Sequence, residues 1–225
     1  METSSDITRI PKVIHYIWVG GKPLSPLAEH CLASWQKYLP DYEIKRWDET
    51  NSPMDHHYVR AMYAQKKWAF VSDYIRFYVL AREGGIYLDT DLELFRPLDQ
   101  FLTEPGFVGK SKSGQIESSI IGAEPGAAFV NAALAWYDAD TKYSIAETSP
   151  HVLARAIAAS PQGSVTIFDY TYFHPIDEGE TLSRALREQA YGVHHWAESW
   201  VSYALLRKLA RRLGVMPLLK YFAGK

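Results

Sequence analysis

The sequence predicts an α/β fold with a Rossmann-like half, on three observations. Residues 13–19, VIHYIWV, form a nearly continuous apolar, β-branched and aromatic run between Pro11 and Gly20-Gly21. That composition suits a parallel strand buried on both faces. A helical pattern and a second strand follow, so a β-α-β unit is complete within the first 48 residues. A further helix then runs through Gly84-Gly85 into another apolar strand. At 225 residues the chain suits one domain and can bury most of its apolar surface.

Residues 1–9 read as a loose end before the first strand. In SPLAEHCLASWQKYLP, Leu27, Cys31, Leu32, Trp35 and Leu39 recur at helical spacing. Ser25-Pro26 supplies the cap and first-turn proline, and Pro40 ends the pattern. YEIKRWD is the second strand. Residues 49–65 are polar, and His56 and His57 there are expected on a solvated surface, because no partner sits at ligand spacing on their helix. The central helix runs from Lys67 to Arg82, with Phe70, Tyr74, Phe77, Tyr78 and Ala81 as its core stripe. Gly84-Gly85 closes it with positive φ available. Ile86-Tyr87-Leu88 is a buried strand, and Leu92 to Phe95 a further strand edge. Beyond it, FVGKSKSGQIESSIIGAEPG offers short strands, AFVNAALAWYDAD a helix, and ETSPHVLARAIAAS a helix capped by Ser149-Pro150. VTIFDYTYFHP reads as a strand, and AYGVHHWAESW precedes the tail. The expected division is one catalytic domain over 1–200 and a basic amphipathic helix over 201–225.

Net charge is −2, which argues against a nucleic-acid binder. Six basic and no acidic residues fall in 201–225, leaving the first 200 residues at −8. Val201, Leu205, Leu209 and Leu213 share one helical face there, and Arg207, Lys208, Arg211 and Arg212 crowd the other. Such a helix can lie on an anionic membrane surface, or pack on its own domain. Cys31 is the single cysteine, so no intrachain disulfide forms and a reducing compartment is favoured. The opening METSSDITRIPK lacks an apolar signal core, and no window approaches about 18 uninterrupted apolar residues. The expectation is a cytoplasmic protein, peripheral at the inner face of the membrane.

Asp89-Thr90-Asp91 leaves a buried strand where an apolar run turns polar. Two carboxylates that close repel unless a cation lies between them. One or two carboxylates, completed by water and diphosphate, is the habit of Mg²⁺ and Mn²⁺ sites. The spacing alone proves little, because Asp138-Ala139-Asp140 repeats it at the end of a helix, where acidic residues are usually solvated. Trp18, Val19 and Gly20 end the first strand, on the edge where open α/β sheets bind ligands. Asp73 and Arg76, three apart on the central helix, can pair or both face a ligand. The short GGKP is too thin for the phosphate loop of a nucleotidyltransferase.

SDYIRFYVLAREGGIYLDTDLELF, together with IPKVIHYIWVGG and VHHWAESW, resembles the family-32 glycosyltransferases, which carry a DXD motif. More distantly it is similar to the glucosylating domains of clostridial toxins. The resemblance covers scattered blocks over residues 10–200 and implies a GT-A fold acting with retention of configuration. It implies a nucleotide-sugar donor, expected to be UDP-linked, a Mn²⁺ or Mg²⁺ cofactor, and a glycan or lipid-linked acceptor. Trp18 would stack on the base, Asp73 and Arg76 would hold the sugar and diphosphate side, and Tyr87 and Asp89 would touch ribose and sugar. Asp91 would ligate the metal, with His195 and Ser199 completing its shell, and Trp200 would reach the glycosidic oxygen or β-phosphate. Whether His194 or His195 faces the metal is open, since neighbours in an extended segment point to opposite sides. Where related sequences often carry Asn over the sugar, this chain has Gln115, Glu117, Ser118 and Ser119. The rival readings are a toxin-like effector that glycosylates a protein and a nucleotide-sugar binder without transfer.

Overall fold

A computed structural model of the chain describes residues 8–140 and 147–197. The basic stretch 201–225, Ser199 and Trp200 lie outside the described residues.

The first strand, β1 (Val13–Ile17), pairs in parallel with β2 (Glu43–Trp47) on one side and β3 (Gly85–Leu88) on the other. With β5 (Gly106–Lys110), β6 (Ile116–Ala123) and β7 (Thr166–Phe168) they form a six-stranded sheet ordered β2-β1-β3-β6-β5-β7. Only β6 runs against the other described strands of this sheet. This is the α/β arrangement expected, with one strand reversed. The antiparallel β6 matters for the site. Its first residues reach the same sheet edge as the last residues of β1 and β3.

Helices cover both faces. α1 (Pro26–Tyr38) begins where the sequence placed its cap, with the Ser25 hydroxyl accepting from the Ala28 N–H at 3.1 Å. It buries Cys31 and Trp35 against Ile14, Ile86 and Leu88. On the opposite face, α2 (His57–Ala64), α3 (Trp68–Glu83), α4 (Ala128–Ala139) and α5 (Ser149–Ala158) enclose Tyr87, Val108 and Ile121. The strand alternation therefore sends Ile86 and Leu88 one way and Tyr87 the other. Gly84 and Gly85 take φ of 65° and 92° between α3 and β3. A Cβ on Gly85 would lie 2.7 Å from the Val13 carbonyl oxygen, so glycine permits the β3–β1 pairing. A second, two-stranded antiparallel sheet joins β4 (Leu92–Leu94) to β8 (Gly192–His194).

Four local expectations are corrected. Residue 9 is not loose, because its N–H bonds the Leu102 carbonyl at 2.8 Å beside the fully buried Ile10. VTIFDYTYFHP is not one strand. Asp169 accepts from the Thr171 N–H and starts the short helix α6 (Tyr170–Phe173), which places Phe173 against Phe101 and Phe107. Ser149 does not cap α5, whose cap position is Thr148, because its hydroxyl is drawn to Asp73 instead. His56 is not on a solvated face. Its ring stacks on Tyr74 at 4.0 Å and meets Asp138 at 3.1 Å.

Candidate functional site

The edge where β1 and β3 end opens into a cavity of about 840 Å³. One end is lined by Trp18, Val19, Gly20, Lys22 and Trp68, and the floor by Asp73, Arg76, Tyr87, Asp89 and Asp91. Trp18 is partly exposed, its indole N–H fixed on the Lys22 carbonyl at 2.7 Å. The Gly20 N–H donates to Glu49 at 2.6 Å, which also accepts from the Tyr63 hydroxyl. Those bonds hold the turn after β1 open at the cavity rim.

Asp73 and Arg76 sit on the buried face of α3, and they are more than a helix ion pair. The Arg76 guanidinium donates to Asp73 at 2.8 Å and to the Ser118 carbonyl at 2.8 Å, and lies 3.4 Å from Asp89. Ser149 donates to Asp73 at 2.7 Å, so Ser118 gives its own proton to Ser149 across 2.8 Å. The result is a closed ring, Arg76 to Ser118 to Ser149 to Asp73, spanning α3, β6 and α5. Arg76 also covers the Tyr87 ring at 4.6 Å, and the Tyr87 hydroxyl donates to Asp89 at 2.5 Å. Burial works against the Arg76 charge, but Tyr87, Asp89 and Asp73 outweigh it and hold it protonated. The network keeps a buried cation and an oriented Asp89 beside an otherwise acidic floor.

Asp91 begins the turn into β4, and β8 brings His194 to it across the ladder, with Leu92 opposite His194. The His194 Nε2 lies 3.1 Å from Asp91 and 4.0 Å from Asp89. The Ala197 N–H also donates to Asp91, at 2.8 Å. Burial raises the Asp91 carboxyl, but His194 and the Ala197 N–H outweigh it, leaving it at about 2. Asp89, Asp91 and His194 place one ligand atom each within 4.8 Å of one another. His194 Nδ1 is buried without a partner. Two carboxylate oxygens and one imidazole, facing the cavity, fit a divalent cation that keeps other positions for water and phosphate oxygens.

The structure thus brings together Trp18, Val19, Gly20, Asp73, Arg76, Tyr87, Asp89 and Asp91. The placement of His195 is corrected. Its Nε2 meets Glu93 at 3.1 Å, on the other side of the strand from Asp91, and His194 takes the position expected of it. The physical reason is the extended alternation that left the pair open. Glu117, one of the residues that stand where related sequences carry Asn, lines the cavity with 7% exposure. Burial pushes its carboxyl up to about 7. Trp68, Ser149 and Trp196 also line the cavity and were not foreseen. Trp68 lies at the predicted start of α3 and was legible as an aromatic there. Trp196, with φ of 53°, carries no sequence signal for that backbone.

Residues 26–108 match the family described as glycosyltransferase sugar-binding region containing DXD motif. The chain is 26% identical over 135 residues to inositol phosphoceramide mannosyltransferase 3 of Schizosaccharomyces pombe, covering 56% of this chain and 37% of that protein. It is 28% identical over 127 residues to mannosyl phosphorylinositol ceramide synthase SUR1 of Saccharomyces cerevisiae, covering 52% of this chain and 31% of that one. The chain spans about a third of the length of these curated relatives. Among solved structures, PaToxG glycosyltransferase superposes with a TM-score of 0.52 at 18% identity, over 66% of this chain and 68% of that one. A glycosyltransferase involved in glycosylation of the major capsid of PBCV-1 gives 0.53 at 11%, over 88% of this chain and 99% of that one. Residues 26–108 are thus similar to the sugar-binding region of DXD-containing glycosyltransferases, and the fold is one that solved glycosyltransferases share.

Proposed function

We propose that the protein is a retaining, metal-dependent glycosyltransferase that moves a sugar from a nucleotide-sugar donor, UDP-linked, to a glycan or glycolipid hydroxyl, as in bacterial surface polysaccharide synthesis. The observation that carries this reading is the Asp89–Asp91–His194 cluster on the floor of a cavity that extends to Trp18 and Gly20. A glycolipid acceptor is favoured by the names of the fungal relatives, which act on inositol phosphoceramide.

Trp18 offers a flat face at the cavity end for the base. The Gly20 turn leaves backbone close to the ribose. Asp73 and Asp89 present carboxylate oxygens to sugar hydroxyls, each already oriented by Arg76. Asp89, Asp91 and His194 would hold Mn²⁺ or Mg²⁺, which supplies positive charge against the leaving diphosphate. In the front-face step, the acceptor oxygen bonds to the anomeric carbon on the side from which the diphosphate oxygen departs with the bonding pair. The acceptor proton passes to that departing oxygen. The reading therefore needs no protein nucleophile, and a trapped covalent sugar–enzyme adduct would sink this step. A peripheral seat on the inner membrane face through residues 201–225 belongs to the same proposal. Deletion of residues 204–225 with unchanged partition onto anionic vesicles would remove that part.

The test of the core reading is a thermal-shift panel of UDP-, GDP- and CMP-sugars with and without Mn²⁺. A ligand at 100 times its Kd stabilises by about 2.7 kcal/mol, so a single specific binder is easily seen. Stabilisation by a UDP-sugar that requires Mn²⁺ is expected. No metal-dependent shift with any sugar at saturation would overturn the reading.

A further inference from the structure

Glu93 is the middle residue of β4 and is 7% exposed. A carboxylate so buried needs partners, and one guanidinium and two imidazoles from separate segments converge on it. Arg187 of α7 (Arg184–Gln189) donates from 3.1 Å while covering the Phe95 ring at 4.0 Å. His30 of α1 lies 3.4 Å away. The His195 Nε2–H donates to the second oxygen at 3.1 Å.

The register of the β4–β8 ladder makes that last bond consequential. Glu93 faces Val193, and the His195 N–H continues the ladder by donating to the Asp91 carbonyl at 2.9 Å. Gly192 lets the strands close, since a Cβ there would lie 2.7 Å from the Glu93 carbonyl oxygen. Fixing the His195 side chain on Glu93 leaves His194 and the Ala197 N–H turned to the cavity. His194 points at Asp91 and Asp89, and Ala197 offers its N–H to Asp91. Between them, Trp196 is held with φ of 53°, its indole N–H on the Ile176 carbonyl at 3.0 Å. A non-glycine residue keeps such a backbone only where its surroundings over-determine it.

We propose that Glu93 and His195 form a positioning pair, outside the cation site, that holds the 194–197 segment so that His194 and the Ala197 N–H meet Asp91. This rests on the reading of Asp89, Asp91 and His194 as a divalent-cation site. Groups that orient ligands without touching the ion typically alter metal affinity by about 10- to 100-fold when removed.

The experiment is direct Mn²⁺ titration of the full chain, by calorimetry or by the electron-spin signal of free Mn²⁺, without donor or acceptor. His195→Ala, at a side chain 30% exposed, and Glu93→Gln are the primary variants, and Arg184→Ala is the control on the exposed side of α7. His195→Ala is expected to raise the Mn²⁺ dissociation constant about 10-fold or more, with its unfolding midpoint in chelator close to wild type. Glu93→Gln keeps an acceptor for His195 and should lose less. The double variant should be no weaker than the worse single one, because both changes cut the same bond. Wild-type Mn²⁺ affinity in both single variants, or losses that simply add, would overturn the inference while leaving the cation site standing. A wild type that does not bind Mn²⁺ would overturn the cation site and the inference with it.

Discussion

The chain holds two Asp-x-Asp pairs, and they differ in everything but sequence spacing. Asp89 and Asp91 follow a buried strand, and Asp89 accepts from Tyr87 and adjoins Arg76 while Asp91 accepts from His194 and the Ala197 N–H. Asp138 and Asp140 end α4, and the Asp138 side chain is 53% exposed. The first pair stands where a sheet edge, a helix face and a distant strand meet over a cavity. The second stands on a helix end clasped to α2 and α3 through His56 and Tyr74. A pair of carboxylates becomes a candidate cation site through what converges on it.

The largest effect should come from Asp91→Asn, which removes one anionic ligand atom without changing shape. Turnover should fall by about 10²- to 10³-fold, the scale of losing one electrostatic stabiliser of a developing charge. Mn²⁺-dependent stabilisation by the nucleotide sugar should vanish from the thermal-shift panel. Full activity in this variant would break the comparison at its first term.

Arg76→Lys asks whether the surroundings of the first pair are as specific as the pair. Lysine keeps the charge but cannot fork to Asp73 and the Ser118 carbonyl, nor cover the Tyr87 ring as a plane. Stability should drop by about 3 kcal/mol in urea unfolding, the scale of disrupting a buried ion-pair network. An unchanged midpoint would mean that the hydrogen-bond ring is incidental.

Glu117 sharpens the same contrast through pH. Its carboxyl, ordinarily near 4.5, is pushed up to about 7 by burial. Between those values the unfolded chain has lost the proton and the folded chain keeps it, so stability falls as pH rises through that window. Glu117→Gln should remove that part of the slope, read as unfolding midpoints from pH 4.5 to 8 in chelator. Identical slopes in variant and wild type would show that the cavity does not desolvate this group.

These residues also mark what was legible in the sequence. β1, α1, α3 and β3 were readable because each signal is local: an apolar run, a helical stripe, a Ser-Pro cap, a Gly-Gly turn. Trp18, Asp73, Arg76, Asp89 and Asp91 followed, since each has a fixed place on such an element. The rest depends on contacts between distant segments. His194 reaches Asp91 across 103 positions, and Ser149 reaches Asp73 across 76. Alternation in the strand could say that His194 and His195 diverge but not which one turns inward. The burial of Glu117 is set by the wall opposite it, and α6 is set by an aromatic cluster around Phe101. Neither is written in its own neighbourhood.

The smallest effect is the most discriminating. Asp138→Asn makes at the second pair the change that Asp91→Asn makes at the first. Burial holds the His56 imidazole below its usual range, so near pH 7.5 the contact with Asp138 is a hydrogen bond from a neutral ring. A hydrogen bond typically contributes about 1 kcal/mol net, and Asn retains an oxygen that can accept it. Turnover and Mn²⁺-dependent stabilisation should therefore match wild type, with unfolding shifted by less than about 1 kcal/mol. A loss comparable to that of Asp91→Asn would mean that the helix-end carboxylates take part in the chemistry, and that position at the strand edge is not what separates the two pairs.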